Sequence, residues 1–121
     1  MKLKRLDYDL TVCKVATVAD ICLDDDFLFV GKTDEEISLV CETHNVPKSV
    51  TEREDGWKGF YVGEILDFSL VGILSDLSAT LARSGIAIFA ISTYNTDYIL
   101  VRDHDYDKAI AALTDAGHCI M

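Results

Sequence analysis

Hydrophobic residues are concentrated in two short segments of the second half of the chain, residues 86–91 and 98–101. Both segments are too short to span a membrane, and the β-branched residues of the first favour a strand that is buried on both faces. The link between them, residues 92–97, is rich in Ser, Thr, Asn and Asp, which are typical of turns. The pattern predicts a β-hairpin at the centre of a sheet, with its polar link exposed to solvent.

A strand and a helix are predicted upstream of this hairpin. Residues 57–66 are mostly apolar and predict the strand. Apolar residues then recur with helical spacing from Leu70 to Leu81, Ser69 precedes them as the expected N-cap, and Gly85 ends the pattern. The helix is therefore expected to lead directly into the hairpin.

The end of the chain predicts a second helix and a last strand. Asp103 or Asp105 is expected to cap a helix whose apolar positions run from Ala109 to Ala116, and Gly117 ends it. Residues 118–121 are predicted as a short strand. Residues 57–121 therefore have the order β-α-β-β-α-β, which predicts an α+β, ferredoxin-like antiparallel sheet with both helices on one face.

The first half is less regular. Alternation of apolar and polar residues predicts strands at residues 10–16, 27–32 and 36–42, after a mixed-charge lead-in of residues 1–9. Residues 17–26 have no convincing helical periodicity. The charged run 52–56 is the best candidate boundary between halves, which predicts an abbreviated N-terminal module at 1–56 and a complete module at 57–121.

Charge and cysteine content narrow the classes of function. The net charge of −10 and the pI near 4.5 argue against nucleic acid and anionic membrane surfaces as partners. The four cysteines form no C-x-x-C pair, and Cys13, Cys41 and Cys119 lie in apolar segments, where a free thiol behaves as a small hydrophobe. With no secretory segment after Met1, we expect a cytoplasmic protein with reduced thiols.

Two stretches of the second half resemble the ACT domain family. Residues 67–74 (DFSLVGIL), followed by 84–88 (SGIAI), are similar to the ACT entry motif, in which a glycine opens the first helix. Residues 89–101 (FAISTYNTDYILV) and 32–41 (KTDEEISLVC) resemble the ACT subgroup of small bacterial proteins and the CASTOR arginine sensors. The resemblance covers the chain from about residue 10 and implies two tandem ACT-like modules, the first of them abbreviated.

The resemblance also implies regulation by a bound amino acid near the strand-to-helix loop. Backbone N–H groups at a helix start favour an anion such as an α-carboxylate, and the carboxylate of Asp97 is a suitable acceptor for an α-ammonium group. The ligand-binding residues that we predict on this basis are Ser69, Val71, Gly72, Thr93, Asn95 and Asp97. Purely structural roles remain open. Ser69 is better suited to capping the helix than to contacting a ligand, Asn95 and Asp97 could shape the turn, and Gly72 could allow close packing of helix and strand.

Enzymatic and metal-binding functions have little support in the sequence. No G-x-S-x-G, phosphate loop or H-x-x-x-H spacing is present, and acylphosphatase, another ferredoxin-like enzyme, is a poor match because its anion loop is missing. Asp97 with His104 or His118 is the one pairing that suggests acid–base chemistry. We expect a non-enzymatic, homodimeric regulatory protein without a cofactor or metal, which binds an amino acid and acts on a regulated protein partner. The alternatives are a ligand-free interaction module with a degenerate pocket and a small ferredoxin-like enzyme.

Overall fold

Seven strands and two α-helices occur in the computed structural model, which describes residues 1–64 and 71–121. The strands are β1 (Lys2–Val15), β2 (Leu28–Lys32), β3 (Ile37–Glu42), β4 (Val50–Val62), β5 (Ile88–Ser92), β6 (Asp97–Arg102) and β7 (Cys119–Ile120). The helices are α1 (Ile73–Arg83) and α2 (Tyr106–Asp115), and short 3₁₀ turns cover Val18–Asp20, Thr43–Asn45 and Asp103–Asp105. No helix in the described ranges is long and apolar enough to cross a membrane.

The chain divides into two compact units. The C-terminal unit consists of Met1–Asp7 together with Lys58–Met121, and the N-terminal unit is Tyr8–Trp57. Strands β1 and β4 each contribute residues to both units. The division into modules at 1–56 and 57–121 stays a prediction.

The C-terminal unit has both helices on one face of its sheet. Its strands are ordered β7–β1–β4–β6–β5, with β5 and β6 antiparallel and β7 parallel to the start of β1. Alternate residues of the strands and the apolar stripes of both helices form one core, and alternation places such residues on the same face. The buried members are Leu3, Phe60, Val62, Leu77, Leu81, Ile86, Ile99, Val101, Ala109 and Leu113. The mixed α+β fold with two helices was correctly predicted.

The N-terminal unit has the strand order β2–β3–β1–β4 and a smaller core. Strand β3 pairs antiparallel with both β1 and β2. Its buried core residues are Cys13, Val15, Leu39 and Cys41. As the lack of helical periodicity indicated, residues 17–26 contain only the turn Val18–Asp20 and no α-helix. Cys119, in contrast, is exposed, so its expected role as a buried hydrophobe is wrong.

The two β-hairpins are equivalent at a spacing of 60 residues. Leu28 and Ile88 begin strands of equal length, Ile37 and Asp97 begin their partners, and a 3₁₀ turn follows each hairpin. The loops are closed in the same way, because Thr33 N–H donates to the Glu36 carbonyl (2.9 Å) and Thr93 N–H donates to the Thr96 carbonyl (2.8 Å). Each unit therefore contains one hairpin with strands of the same lengths and a loop closed by the same backbone hydrogen bond.

The predicted position of the second hairpin in the sheet is wrong. Strand β5 ends the strand order, and none of its five residues is fully buried. Its partner β6 contains the buried run Ile99, Leu100 and Val101. An apolar run predicts a strand but does not distinguish an edge from a central position, because the partners come from distant parts of the chain.

Both long strands begin earlier than predicted. Residues 2–9 of the expected lead-in are part of β1, and the expected boundary at residues 52–56 is part of β4. In β1, two exposed residues separate the buried Leu3 and Leu6, so the alternation changes phase. In β4, residues 51–56 are all exposed, so the burial pattern that identifies a strand is absent there.

Helix α1 begins three residues later than the Leu70 start predicted from the pattern. Its N-cap is Gly72, and its end is followed by Gly85 with φ +72°, a left-handed conformation that favours glycine. The predicted cap Ser69 and Leu70 lie outside the described residues. Helix α2 follows Asp105 and ends before Gly117, in agreement with the prediction.

Candidate functional site

The loop between β5 and β6 contains three of the predicted ligand-binding residues, Thr93, Asn95 and Asp97. The Thr93 hydroxyl donates to the Thr96 carbonyl (2.9 Å) and accepts from the Thr96 N–H (3.3 Å). Such side-chain bonds to nearby backbone are the reason that threonine favours turns. Asn95 is exposed, whereas Thr93 and Asp97 are half-buried. The turn therefore fixes the loop and leaves polar groups accessible.

Asp97 is the acidic group of this loop, at the first position of β6. Its Oδ1 accepts a hydrogen bond of 2.6 Å from the Ser92 hydroxyl, which lies directly opposite in the hairpin. An ionised carboxylate has about four acceptor positions on its two oxygens. Asp97 therefore retains capacity to accept donors from a ligand.

Thr96 connects the loop to the end of β4. Its side chain is 8% exposed, and its hydroxyl donates to the Val62 carbonyl at 2.9 Å. Next to this contact, the rings of Tyr61 and Tyr98 stack at a centroid distance of 5.2 Å. Burial, and to a lesser extent the neighbouring Tyr61, raise the pKa of Tyr98. The hydrogen bond from Thr96 therefore fixes the β5–β6 loop against the end of β4.

The start of α1 contains two more predicted residues, Val71 and Gly72. Gly72 is the N-cap with φ +83°, and a Cβ added there would meet no atom within 4 Å. Because glycine has no side chain, the cap residue supplies no hydrogen bond to the N–H groups of the first turn. Val71 is 91% exposed. This helix end therefore presents backbone donors and a partial positive charge.

The structure places the predicted residues in two groups. Thr93, Asn95 and Asp97 share one loop, and Val71 and Gly72 share the start of α1, both in the C-terminal unit. Ser69 lies outside the described residues, and the assignment of all six as ligand contacts stays a prediction. Sequence reasoning missed Ser92 and Thr96, although both belong to the same Ser-Thr-x-x-Thr-Asp stretch.

His104 and His118 have acidic partners other than Asp97. His104 Nε2 lies 3.5 Å from Asp105 Oδ2, and His118 Nε2 lies 3.4 Å from Asp76 Oδ2. The pairing of Asp97 with either histidine, which would suggest acid–base chemistry, is not among the contacts of the described residues. Those residues also contain no cluster of three or more His, Cys, Asp or Glu side chains that could hold a metal ion.

Solved structures of similar fold come from several bacteria. Protein Atu0741 of Agobacterium tumefaciens shares 30% identity at a TM-score of 0.87, over 99% of this chain and 91% of that one. Protein VC0802 of Vibrio cholerae, described as of unknown function and a possible transport protein, shares 20% identity at a TM-score of 0.73, over 92% and 85% of the chains. Aspartate kinase of Clostridium acetobutylicum shares 14% identity at 0.65, over 94% of this chain and 33% of the kinase.

The fold and the comparisons together define the class of protein. The architecture is α+β and ferredoxin-like, with two helices packed on one face of a sheet. The family model described as ACT domain matches residues 52–115, more than half of the chain. The chain belongs to the ACT domain family, whose members are typically ligand-binding regulatory modules and often oligomerise. A search of curated proteins gave no match.

Proposed function

We propose that this protein is a regulatory protein that binds an amino acid between the start of α1 and the β5–β6 loop. The observation that carries the proposal is the N-cap of α1. Gly72 leaves the first-turn N–H groups without a side-chain acceptor from the cap, and a carboxylate is the ligand group that such donors favour.

Opposite charges are available for the two ends of an amino acid. The α-carboxylate would accept from the N–H groups after Gly72, and the α-ammonium would donate to the carboxylate of Asp97. Thr93 and Asn95 would add neutral hydrogen bonds, and Ser69 and the backbone of Val71 complete the proposed set. The anchoring of the loop to the Val62 carbonyl through Thr96 supports this assignment.

The proposed mechanism is ligand-biased association without catalysis. Binding would stabilise one arrangement of modules or of subunits in a homodimer, which a regulated protein partner in the cytoplasm would sense. The equivalence of the two hairpins supports two tandem ACT-like modules, the first abbreviated. We extend this to the subgroup of the CASTOR arginine sensors on the resemblance of residues 89–101 and 32–41, in which the stretch 92–97 is the sharpest part.

A thermal-shift screen with the twenty standard amino acids tests the proposal. A ligand at about one hundred times its Kd should stabilise the protein by about 2.7 kcal/mol. We expect the Asp97→Ala variant to lose most of the shift produced by the active amino acid. Asp115→Ala is the matched control, because it removes an exposed carboxylate from the end of α2 and should leave the shift unchanged.

The absence of a shift with every amino acid would contradict the proposed function. A shift that Asp97→Ala leaves intact would contradict the assigned site but not amino-acid binding. Both variants should first be compared by circular dichroism, so that a loss of fold is not taken for a loss of binding.

A second candidate function is protein contact without a ligand. Val71 and Tyr94 are 91% and 82% exposed, and large exposed apolar side chains are common at interaction sites. If no amino acid stabilises the protein, we expect Val71→Ser and Tyr94→Ser to reduce self-association measured by analytical ultracentrifugation.

A further inference from the structure

Two cysteine thiols meet in the core of the N-terminal unit, where the function proposed above gives them no role. Cys13 of β1 and Cys41 of β3 are 5% and 1% exposed. The register pairs Cys13 with Leu39 and Cys41 with Thr11, so the two cysteines are diagonal neighbours on the same face of the sheet. Their thiols are hydrogen-bonded to each other. Neighbouring strands therefore hold two sulfur atoms side by side.

The core around the two sulfur atoms is apolar. Besides the cysteines it contains Val15 and Leu39, with Ile21, Leu28, Ile37, Val46 and Val50 packed against it. Burial raises the pKa of both thiols, that of Cys41 to about 12, so both are protonated at neutral pH. Because the thiolate is the nucleophile, we expect neither cysteine to be readily alkylated or oxidised. The pair therefore lacks the character of a catalytic or redox-active site.

A disulfide does not suit diagonal neighbours. Their Cα atoms lie about 7–8 Å apart in an antiparallel pair, whereas a disulfide requires a Cα separation below about 7 Å and sulfurs about 2 Å apart. Two metal–sulfur bonds of about 2.3 Å each, arranged in line, hold the sulfurs about 4.6 Å apart. A metal ion between the two sulfur atoms therefore fits this arrangement better than a direct bond does.

The number of ligands selects the kind of metal ion. No third His, Cys, Asp or Glu side chain completes a metal-binding cluster in the part of the chain that the structure describes. Structural zinc sites need four ligands, so two thiolates alone would bind zinc weakly. Thiolates select soft ions such as Cu(I), and Cu(I) and Hg(II), with their filled d shells, accept two thiolates in a linear arrangement. The pair therefore fits a soft ion of low coordination number.

The charges near the pair also favour a bound cation. Beside the larger effect of burial, Arg53 lowers the pKa of both thiols, whereas Asp55 raises that of Cys13 and Asp25 raises that of Cys41. Two thiolates without a counter-charge would be costly in an apolar core. Hg(II) gives a neutral complex with two thiolates, and Cu(I) gives one with a single negative charge.

We propose that Cys13 and Cys41 form a binding site for a soft metal ion in linear coordination, Cu(I) or Hg(II). The ion takes one bond from each Sγ and both thiol protons leave to solvent, so one metal ion replaces two protons. It enters when the loops that cover the core open, because Ile21 and Val46 follow 3₁₀ turns and belong to no helix or strand. The bound ion joins β1 to β3 and stabilises the folded chain. The site lies in a different unit from the amino-acid site, and neither assignment depends on the other.

Two double variants of the full-length chain test the proposal, because each keeps two of the four cysteines. Cys22→Ser with Cys119→Ser keeps the buried pair, and Cys13→Ala with Cys41→Ala keeps the two exposed cysteines as the matched control. After reduction, Cu(I) is titrated against the chelator bicinchoninate, and Hg(II) against a small monothiol as competitor. We expect the first variant to bind one ion per chain with a rise in Tm. The control should bind about a hundredfold more weakly, the upper end of the loss seen when only a partner of a metal ligand is removed.

X-ray absorption of the metal bound to the first variant gives a second readout, in which the proposal requires two sulfur neighbours. This measurement decides the question if circular dichroism shows that the variant without Cys13 and Cys41 does not fold. The proposal is overturned if the first variant binds neither ion, if the control binds as tightly, or if the bound ion has only one sulfur neighbour. Binding of Cu(I) alone or of Hg(II) alone supports the site and identifies its ion. Asp97→Ala should leave metal binding unchanged.

Discussion

Asp55 shows how single residues link β4 to β1 within the N-terminal unit. Its Oδ1 accepts from the fully buried Thr11 hydroxyl at 2.7 Å, and the Arg53 guanidinium donates to both carboxylate oxygens. A threonine hydroxyl has one proton, and the charged carboxylate is its strongest acceptor. The Thr43 hydroxyl, 2.9 Å from Thr11, is then free to donate to it or to the Asp9 carbonyl. The charge of Asp55 thus orders a polar network.

The network makes part of the stability dependent on acid pH. The hydrogen bond from Thr11, and then the bonds and charge of Arg53, hold the pKa of Asp55 below its usual value. A lowered folded-state pKa contributes stability that is present above the unfolded pKa of about 3.9 and is lost as the pH falls through the folded value. We therefore expect Asp55→Asn to lower the Tm at pH 7, and the difference from the unchanged chain to shrink below about pH 4.

Thermal unfolding followed by circular dichroism from neutral to acid pH measures this difference. Asp24→Asn serves as the control, because Asp24 is an exposed aspartate of the same unit, and its Tm should follow that of the unchanged chain. If the Asp55→Asn curve stays parallel to that of the unchanged chain at all pH values, the proposed linkage is wrong.

At the scale of elements, Gly59 permits the close approach of β4 to its neighbours. A Cβ at this position would lie 2.6 Å from Leu100 Cδ2, 3.0 Å from the Ile99 carbonyl oxygen and 3.0 Å from Leu6 Cδ1. One of these contacts is with backbone, which cannot move without disturbing β6. The spacing of β4 from β1 and β6 therefore depends on a missing side chain.

We expect Gly59→Ala to destabilise the protein by about 1–3 kcal/mol, the usual cost of overpacking a core. Gly31→Ala is the matched control on β2, where an added Cβ would make an ordinary contact of 3.9 Å with Ser38 Cβ. Urea unfolding measures both free energies. Equal stabilities of the two variants would show that β4 and β6 can separate without cost.

Helices and strands were predictable from the sequence where a short stretch of residues shows a regular hydrophobic spacing or ends in turn residues. The second hairpin, the strands of the first hairpin and α2 were predicted because turn residues, alternation or helical spacing mark them within a few residues. Strand β1 was shortened in the prediction because its alternation changes phase between Leu3 and Leu6. The edge position of β5 was missed because strand order depends on pairings between distant segments, which local periodicity does not report.

In the candidate site, too, local features were predictable and contacts between distant residues were not. The polar loop at 92–97 is a local feature, and its turn-forming residues identified it as a loop between two strands. The bond from Thr96 to the Val62 carbonyl joins positions 34 residues apart, so no local pattern indicates it. The contact between Cys13 and Cys41 was missed for the same reason, because it joins residues of two separate strands.

At the scale of the whole molecule, the first residues of the chain belong to the unit that contains its last residues. Lys2 and Leu3 pair with Cys119 and Ile120 of β7, and the Met121 N–H donates to the Leu3 carbonyl at 2.8 Å. On the other side of β1, the Gly63 N–H donates to the Lys2 carbonyl at 2.9 Å. The chain thus closes its C-terminal unit with its own N-terminal strand.

Leu3 is the residue of this N-terminal strand segment that packs in the core of the C-terminal unit. Its side chain is fully buried in the core of the C-terminal unit, with Phe60 and the helices. We expect Leu3→Ala to destabilise the protein by about 2–5 kcal/mol, the range for buried leucines, because it removes apolar contacts and leaves a cavity. Leu23→Ala makes the same change at a side chain that is 75% exposed and should change the stability by less than about 0.5 kcal/mol. If urea unfolding gave equal free energies for the two variants, residues 1–7 would not be part of the C-terminal core, and the module would begin only at β4.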